Sequence, residues 1–425
     1  MKILIKKATI LDPSSKHHTK EQDILIENGL ILSIKDSITD VEATLVEATN
    51  LHVSQGWTDL NARFGEPGHE YKEDLDSGMK SAAQGGFTHI ALMPSTEPCI
   101  QSKSDISYLL HQSSHNIVDL HPIGALTKNR KGEQITEMYD MHQNGAIAFS
   151  DDKRSISNAS LMKIALLYAQ NFDGLIMSYS AEAKIAENGQ MNEGVTSTKL
   201  GLKGIPALAE ELQLARDLQL CEYTDAKIHF STISTAQSVN LIREAKSKGL
   251  NVTADTSSYH LLLNDTLLES FNSNLKVNPP LRSKADIEAL KKGIKDGTID
   301  AICSDHYPQN IENKKCEFNL ADFGIINLET SFAVANTALK DILELNTIVE
   351  KLSSFPKTIL GLDSQAIEEG NLADLTLFDP SLKWIYHEKN IISKSKNSPF
   401  IGKEFTGKAI AIINNGQLSV CKNNK

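Results

Sequence analysis

The sequence predicts an α/β protein: a (β/α)8 barrel over residues 55–355, joined to a small β-sandwich assembled from residues 1–54 and 356–425. Three observations carry that expectation. Short apolar runs alternate with stretches of helical spacing through the middle of the chain. Both ends read instead as strands separated by hairpin turns. No GxGxxG or GxxxxGK[ST] phosphate loop occurs, which counts against an open nucleotide-binding sheet.

The first 54 residues hold strands at Lys2–Ile5, Asp23–Ile26 and Leu30–Ile34, with Glu27-Asn28-Gly29 as a hairpin signal. From Gln55 the pattern becomes strand, loop, amphipathic helix, repeated. The barrel strands are expected at Gly56–Leu60, His89–Met93, Asp119–Ala125, Ala146–Phe149, Leu175–Ser178, Lys227–Phe230, Asn251–Ala254 and Asp300–Cys303. Helical spacing of Ala, Leu and Ile marks Asp74–Gln84, Ser157–Ala169, Ala207–Leu220, Ala236–Lys248 and Ala285–Lys295. After about residue 355 strands return: Leu375–Phe378 followed by Pro380, then Lys408–Ile413 and Gln417–Val420 around Asn414-Asn415-Gly416. Domain termini commonly lie close together, so the two strand-rich ends are expected to pair.

At 425 residues, with 40% hydrophobic and 23% charged residues, the chain has an ordinary globular composition. Its 43 basic and 54 acidic side chains leave a formal charge of −11, which argues against a nucleic-acid surface. Cys99, Cys221, Cys303, Cys316 and Cys421 are dispersed without a CxxC pair, as expected of reduced thiols. No apolar run approaches the roughly 18 residues that span a bilayer, and MKILIKKATILD lacks the build of a signal peptide. A cytoplasmic protein without a membrane partner is the expectation.

The stretch QGWTDLNARFGEPG, Gln55–Gly68, is where chemistry is expected, because a barrel strand there delivers side chains to the C-terminal rim. A metal-dependent hydrolase would place two histidines one residue apart on that strand. Asn61 and Arg63 stand there instead, and an arginine repels a cation and does not give up its proton.

Seven motifs extend the comparison: GWTDLNARFGEPG, FSDD (Phe149–Asp152), MNEGVTS (Met191–Ser197), KVNPPLR (Lys276–Arg282), DGTIDAICSDHYP (Asp296–Pro308), FGIINLET (Phe323–Thr330) and GNLADLTLFDP (Gly370–Pro380). In this order, and over essentially the whole chain, the sequence resembles the dihydroorotases of the amidohydrolase superfamily, in the longer class related to allantoinases and hydantoinases. The resemblance implies the TIM-type barrel with its terminal sandwich and a place in pyrimidine biosynthesis. It also implies two metal ions at the rim that activate a hydroxide against the cyclic amide of dihydroorotate, and an aspartate after strand eight that shuttles the proton.

Carried over position by position, that pattern falls on Asn61 and Arg63 for the first two histidines, Tyr179 for the third and Thr232 for the fourth. One of Asp151 and Asp152 matches the bridging acid, and Asp305 matches the proton shuttle. The substrate-binding arginine and asparagine fall on Gly65 and Ser95, leaving Asn278 as the substrate contact that remains. All four imidazole ligands are absent, so no metal is expected, and zinc enters only if the site has been rebuilt. Asp305 is then a relict general base and Asn278 a relict substrate contact. Asp151 and Asp152 are expected to pair with Arg63, because a buried arginine needs such partners. His229, His260 and His306 are expected to be hydrogen-bonded structural groups. Tyr179 and Tyr259 are expected to fill space, and Arg282 to cap carbonyls or pair with an acid.

Three functions follow. The first is a catalytically inactive dihydroorotase homologue, a pseudoenzyme that associates with aspartate transcarbamoylase and supports its assembly, as the resemblance implies for such chains. The second is an active dihydroorotase or related cyclic-amide hydrolase, converting dihydroorotate to N-carbamoyl-aspartate with an altered metal site. The third is a small-anion sensor in which Arg63 holds the anion. A homo-oligomer is implied by the family alone.

Overall fold

Residues 1–422 are described in a computed structural model of the chain. Eight parallel strands follow one another in chain order: Trp57–Ala62, Phe87–Leu92, Asp119–Gly124, Ala148–Phe149, Ile176–Tyr179, Ile228–Ser231, Val252–Ser257 and Ala301–Cys303. Each lies on an expected strand, within three residues at either end. All residues of Trp57–Ala62 are buried, as in a parallel strand covered on both faces.

The first and eighth strands close the barrel differently at its two ends. At the C-terminal rim Ala62 bridges His306, and the Arg63 amide donates to the His306 carbonyl at 2.9 Å. Deeper in the barrel, the Ser304 amide and hydroxyl both donate to the Asp59 carboxylate at 2.6 Å. At the far end the chain segment Lys351-Leu352 fills the seam, its carbonyls accepting from Ile302 at 2.9 Å and Thr58 at 2.8 Å. This closure brings Arg63 and Asp305 side by side.

The five expected helices are present as Leu75–Gly85, Ala159–Gln170, Ala207–Thr224, Ala236–Ser247 and Lys284–Lys295. Leu75–Gly85 starts in a capping box between Asp74 and Ser77, and Lys284–Lys295 in one between Ser283 and Asp286. Others were not foreseen. Lys103–Gln112 buries only Ile106 and Leu109, too narrow an apolar face to register as a period. Ser331–Leu339 is buried nearly all round, so it has no polar face to mark a period. The helix Ser354–Leu360 runs across the expected domain limit at residue 355 and packs on the first barrel strand.

The two ends of the chain form one eight-stranded sheet. Its central join is antiparallel pairing of Leu375–Phe378 with His52–Gln55, which places the N- and C-terminal halves in one ladder. Asn28-Gly29 and Asn415-Gly416 are left-handed at both positions, the two-residue hairpin turn expected from their composition. The strand Leu375–Ile385 continues through Pro380 where a stop was expected. A register shift between Asp379 and Lys383 leaves that stretch unpaired, so the missing proline N–H breaks no ladder bond. No described helix is long and apolar enough to cross a membrane.

Candidate functional site

Arg63 emerges from the first barrel strand only 3% exposed, with its guanidinium between two carboxylates from distant strand ends. Its Nε donates to Asp152 Oδ2 at 2.8 Å and its Nη2 donates to Asp152 Oδ1, forming a bidentate fork. Its Nη1 donates to Asp305 Oδ1 at 2.9 Å. The guanidinium carbon also lies 4.7 Å from the centre of the Tyr307 ring, a cation–π contact.

A second cation completes the cluster. Lys153 Nζ is 2.9 Å from Asp305 Oδ1, donates to Thr232 Oγ1 at 3.1 Å, and lies 5.0 Å from the centre of the Tyr179 ring. The remaining oxygen of Asp305 accepts from Tyr259 Oη at 2.5 Å. Two cations therefore face two carboxylates, and the buried cluster is formally neutral, the condition under which charges persist away from water.

The electrostatics follow from that balance. Burial alone would push Asp152 up, but Arg63, Arg130 and Lys153 together hold its carboxyl well below the usual range. Burial opposes ionisation of Asp305 too, and Lys153 and Arg63 again outweigh it, so its pKa is lowered. Burial works against charge on Arg63, yet Asp152 and Asp305 raise its pKa well above the ordinary value. Tyr179 and Tyr259 are kept neutral, first by burial and then by the acids around them.

Local backbone aims these side chains. Asp152, Thr232 and Asp305 have φ of 55°, 53° and 49°, the left-handed region that costs a non-glycine residue about 1–2 kcal/mol. Hydrogen bonds hold two of them there: the Asp152 amide donates to Ser150 Oγ at 3.0 Å and the Thr232 amide to Asp255 Oδ1 at 2.7 Å.

Five of the expected positions thus meet in one cluster: Arg63, Asp152, Tyr179, Thr232 and Asp305. Asp151 does not join them, correcting the expectation that both adjacent acids serve Arg63. It accepts from the Thr127 amide at 2.8 Å and from the Thr127 hydroxyl, and burial raises its pKa. Asn61 is buried, and its Oδ1 has no hydrogen-bond partner among the described residues. Asn278 is half-buried before Pro279 and makes no side-chain hydrogen bond to the cluster. Tyr259 does more than fill space, since it donates to Asp305.

The three histidines near rim motifs are all structural. His229 bridges Thr253 Oγ1 at 2.9 Å and Asp255 Oδ2 at 2.8 Å. His260 lies between Ser257 Oγ at 2.6 Å and the Pro279 carbonyl at 3.1 Å. His306 Nδ1 accepts from the Asn327 amide at 3.1 Å. Arg282 donates to the Ile205 carbonyl and Asn192 Oδ1, both at 2.9 Å, and lies 3.6 Å from Glu210.

Lys153 was missed by the sequence reading. The signal available was charge balance: two buried carboxylates facing Arg63 alone leave one negative charge unmatched, and Lys153 follows the acid pair directly. Arg130 was missed as well. Its Nε donates to the Asp151 carbonyl at 3.2 Å, and its charge helps hold Asp152 ionised.

The donor set does not fit zinc. Zinc takes imidazole, thiolate or carboxylate ligands at roughly 2.0–2.2 Å for nitrogen and oxygen. Here the two carboxylates are already bound to a guanidinium and an ammonium, and both cations repel a metal ion. Among the described residues no group of three or more His, Cys, Asp or Glu side chains is arranged to hold one.

Residues 52–238 match the family described as Dihydro-orotase-like. A dihydroorotase of Pelobacter propionicus is 40% identical over 421 residues, 98% of this chain and 99% of that one. A dihydroorotase of Ruminiclostridium cellulolyticum is 43% identical over 405 residues, 95% of this chain and 94% of its own. Among solved structures, the L-hydantoinase (dihydropyrimidinase) of Arthrobacter aurescens superposes with a TM-score of 0.86 at 22% identity, covering 99% of this chain and 96% of that one. With 40–43% identity to dihydroorotases over nearly the whole length of both chains, the chain belongs to the dihydroorotase family.

Proposed function

We propose that this chain is a non-catalytic dihydroorotase homologue of pyrimidine biosynthesis, a cytoplasmic homo-oligomer that acts as a structural partner of aspartate transcarbamoylase. The observation that carries the reading is the Arg63 guanidinium bonded to both Asp152 and Asp305. Hydrolysis of a cyclic amide needs an activated water and a polarised carbonyl, which a metal ion supplies in such enzymes. Here the acids that would serve a metal serve Arg63 and Lys153. Asp305 accepts from three donors and has a lowered pKa, which makes it a weak base. The partner follows from the family resemblance, in which inactive chains accompany an active enzyme and associate with aspartate transcarbamoylase. An assembly role requires the barrel and its surface and places no demand on the rim chemistry.

The test has two arms. Metal-stripped protein is titrated with zinc by calorimetry and the same sample is assayed with dihydroorotate; the reading expects neither tight zinc binding nor turnover. Aspartate transcarbamoylase of the same organism is then mixed with the chain at about 10 μM and analysed by sedimentation, where a stable mixed complex is expected. Absence of the complex removes the partner assignment.

The identity of 40–43% with chains named dihydroorotase favours a second reading, an active cyclic-amide hydrolase with an unusual site. Turnover of dihydroorotate that disappears in Asp305→Asn would establish it and end the first.

A further inference from the structure

A cavity of about 300 Å³ opens at the rim beside the Arg63 cluster, and its lining is strongly basic in a chain whose net charge is −11. Arg63, Lys72, Arg130, Lys153 and Arg154 line it, with Glu97 the one carboxylate. Arg63 and Lys153 are neutralised by Asp152 and Asp305. Lys72, Arg130 and Arg154 form no ion pair with a carboxylate among the described residues. Arg130 donates only to the Asp151 carbonyl, and Arg154 reaches the Asn129 and Arg130 carbonyls at 3.5 and 3.4 Å. Lys72 is half-buried, its ammonium makes no hydrogen bond among the described residues, and burial lowers its pKa. Ser95, also in the lining, holds a buried hydroxyl with no hydrogen-bond partner.

A surface that collects three unpaired cations in one small cavity incurs mutual repulsion that an anion would relieve. Setting Glu97 against the three leaves two positive charges, the complement of a dianion. Guanidinium forks on Arg130 and Arg154 and a point charge on Lys72 match the tetrahedral oxygens of a phosphate, whose two charges sit on one centre. The volume lies at the lower limit for ligand pockets, which restricts the occupant to a small molecule.

We propose that this cavity binds a small phosphate-bearing metabolite through Lys72, Arg130 and Arg154. Arg63 is excluded as the anion's holder, because Asp152 and Asp305 occupy it. The cavity includes Arg63, Gly65 and Ser95, the positions onto which the family's metal and substrate contacts fall, so the proposal rests on the non-catalytic reading, which the dihydroorotate assay tests separately.

Calorimetric titration of the full chain with inorganic phosphate, and separately with succinate as a dicarboxylate of similar charge, tests the proposal. Phosphate is expected to bind with a dissociation constant of about 1 mM or tighter, and succinate at least about tenfold more weakly. Arg130→Met and Lys72→Met are each expected to weaken phosphate binding about tenfold. Arg154 is exposed, so Arg154→Met keeps the fold and weakens binding about threefold even if Arg130→Met does not fold. No heat with phosphate at 10 mM (about ten times the expected constant), equal binding of succinate, or phosphate affinity unchanged in Arg154→Met would each overturn it.

Discussion

Arg63 and Asp152 form a bidentate ion pair across the barrel mouth, Nε to Oδ2 at 2.8 Å with Nη2 to Oδ1 beside it, and both side chains are 3% or less exposed. A buried pair of this kind contributes little net stability while intact, but breaking it leaves a charge without a partner. Arg63→Met is therefore expected to lose about 3–5 kcal/mol in urea unfolding. Adding Asp152→Asn to that variant should recover part of the loss. A single variant as stable as the parent would show that the pair does not form in solution.

Lys153 serves Asp305, which also has Arg63 and Tyr259. Lys153→Met is expected to cost less than Arg63→Met, about 1–2 kcal/mol, because two donors to Asp305 remain. A loss equal to that of Arg63→Met would make Lys153 the main support of the cluster.

Acid should act through His260. Burial holds its imidazole neutral down to about 4, below the ordinary 6.5. Its contribution is fully present above the unfolded value and is lost as pH falls through the folded one. At most it is on the order of 3 kcal/mol. His260→Gln should flatten the stability profile between pH 6.5 and 4, measured by urea midpoints in that window. Equal slopes for the two proteins would contradict this. Asp59 acts in the opposite sense: burial raises its carboxyl to about 6, so protonation on acidification favours the fold and partly offsets the loss.

Zinc should leave the protein's thermal midpoint unchanged. A site of micromolar affinity at millimolar zinc would add about 4 kcal/mol, a shift of several degrees that scanning calorimetry resolves easily. Such a shift would mean that the Arg63 cluster opens to admit a metal.

The barrel was legible because its strands are short apolar runs between helices of regular period, and local pattern determines local structure. Ser331–Leu339 escaped notice for the complementary reason: full burial erases the polar face that a period requires. At the site, that Asn61, Arg63, Tyr179 and Thr232 offer no imidazole could be read directly, since residue type alone decides whether a side chain ligates zinc. Lys153 and the basic lining around Lys72 and Arg130 could not, because nothing local marks a cation as paired or free.

The sequence by itself determined the barrel, the terminal sheet and the family, all of which depend on residue type and short-range spacing. Tertiary structure alone decided which acid pairs with Arg63. Asp151 and Asp152 are neighbours of identical chemistry, yet the left-handed backbone at Asp152 directs that residue to the guanidinium while Asp151 binds Thr127. Arg63 meets Asp152 across 89 residues and Asp305 across 242 because the barrel closes there, and pairing of buried charges over such separations is settled by where the closed barrel puts them.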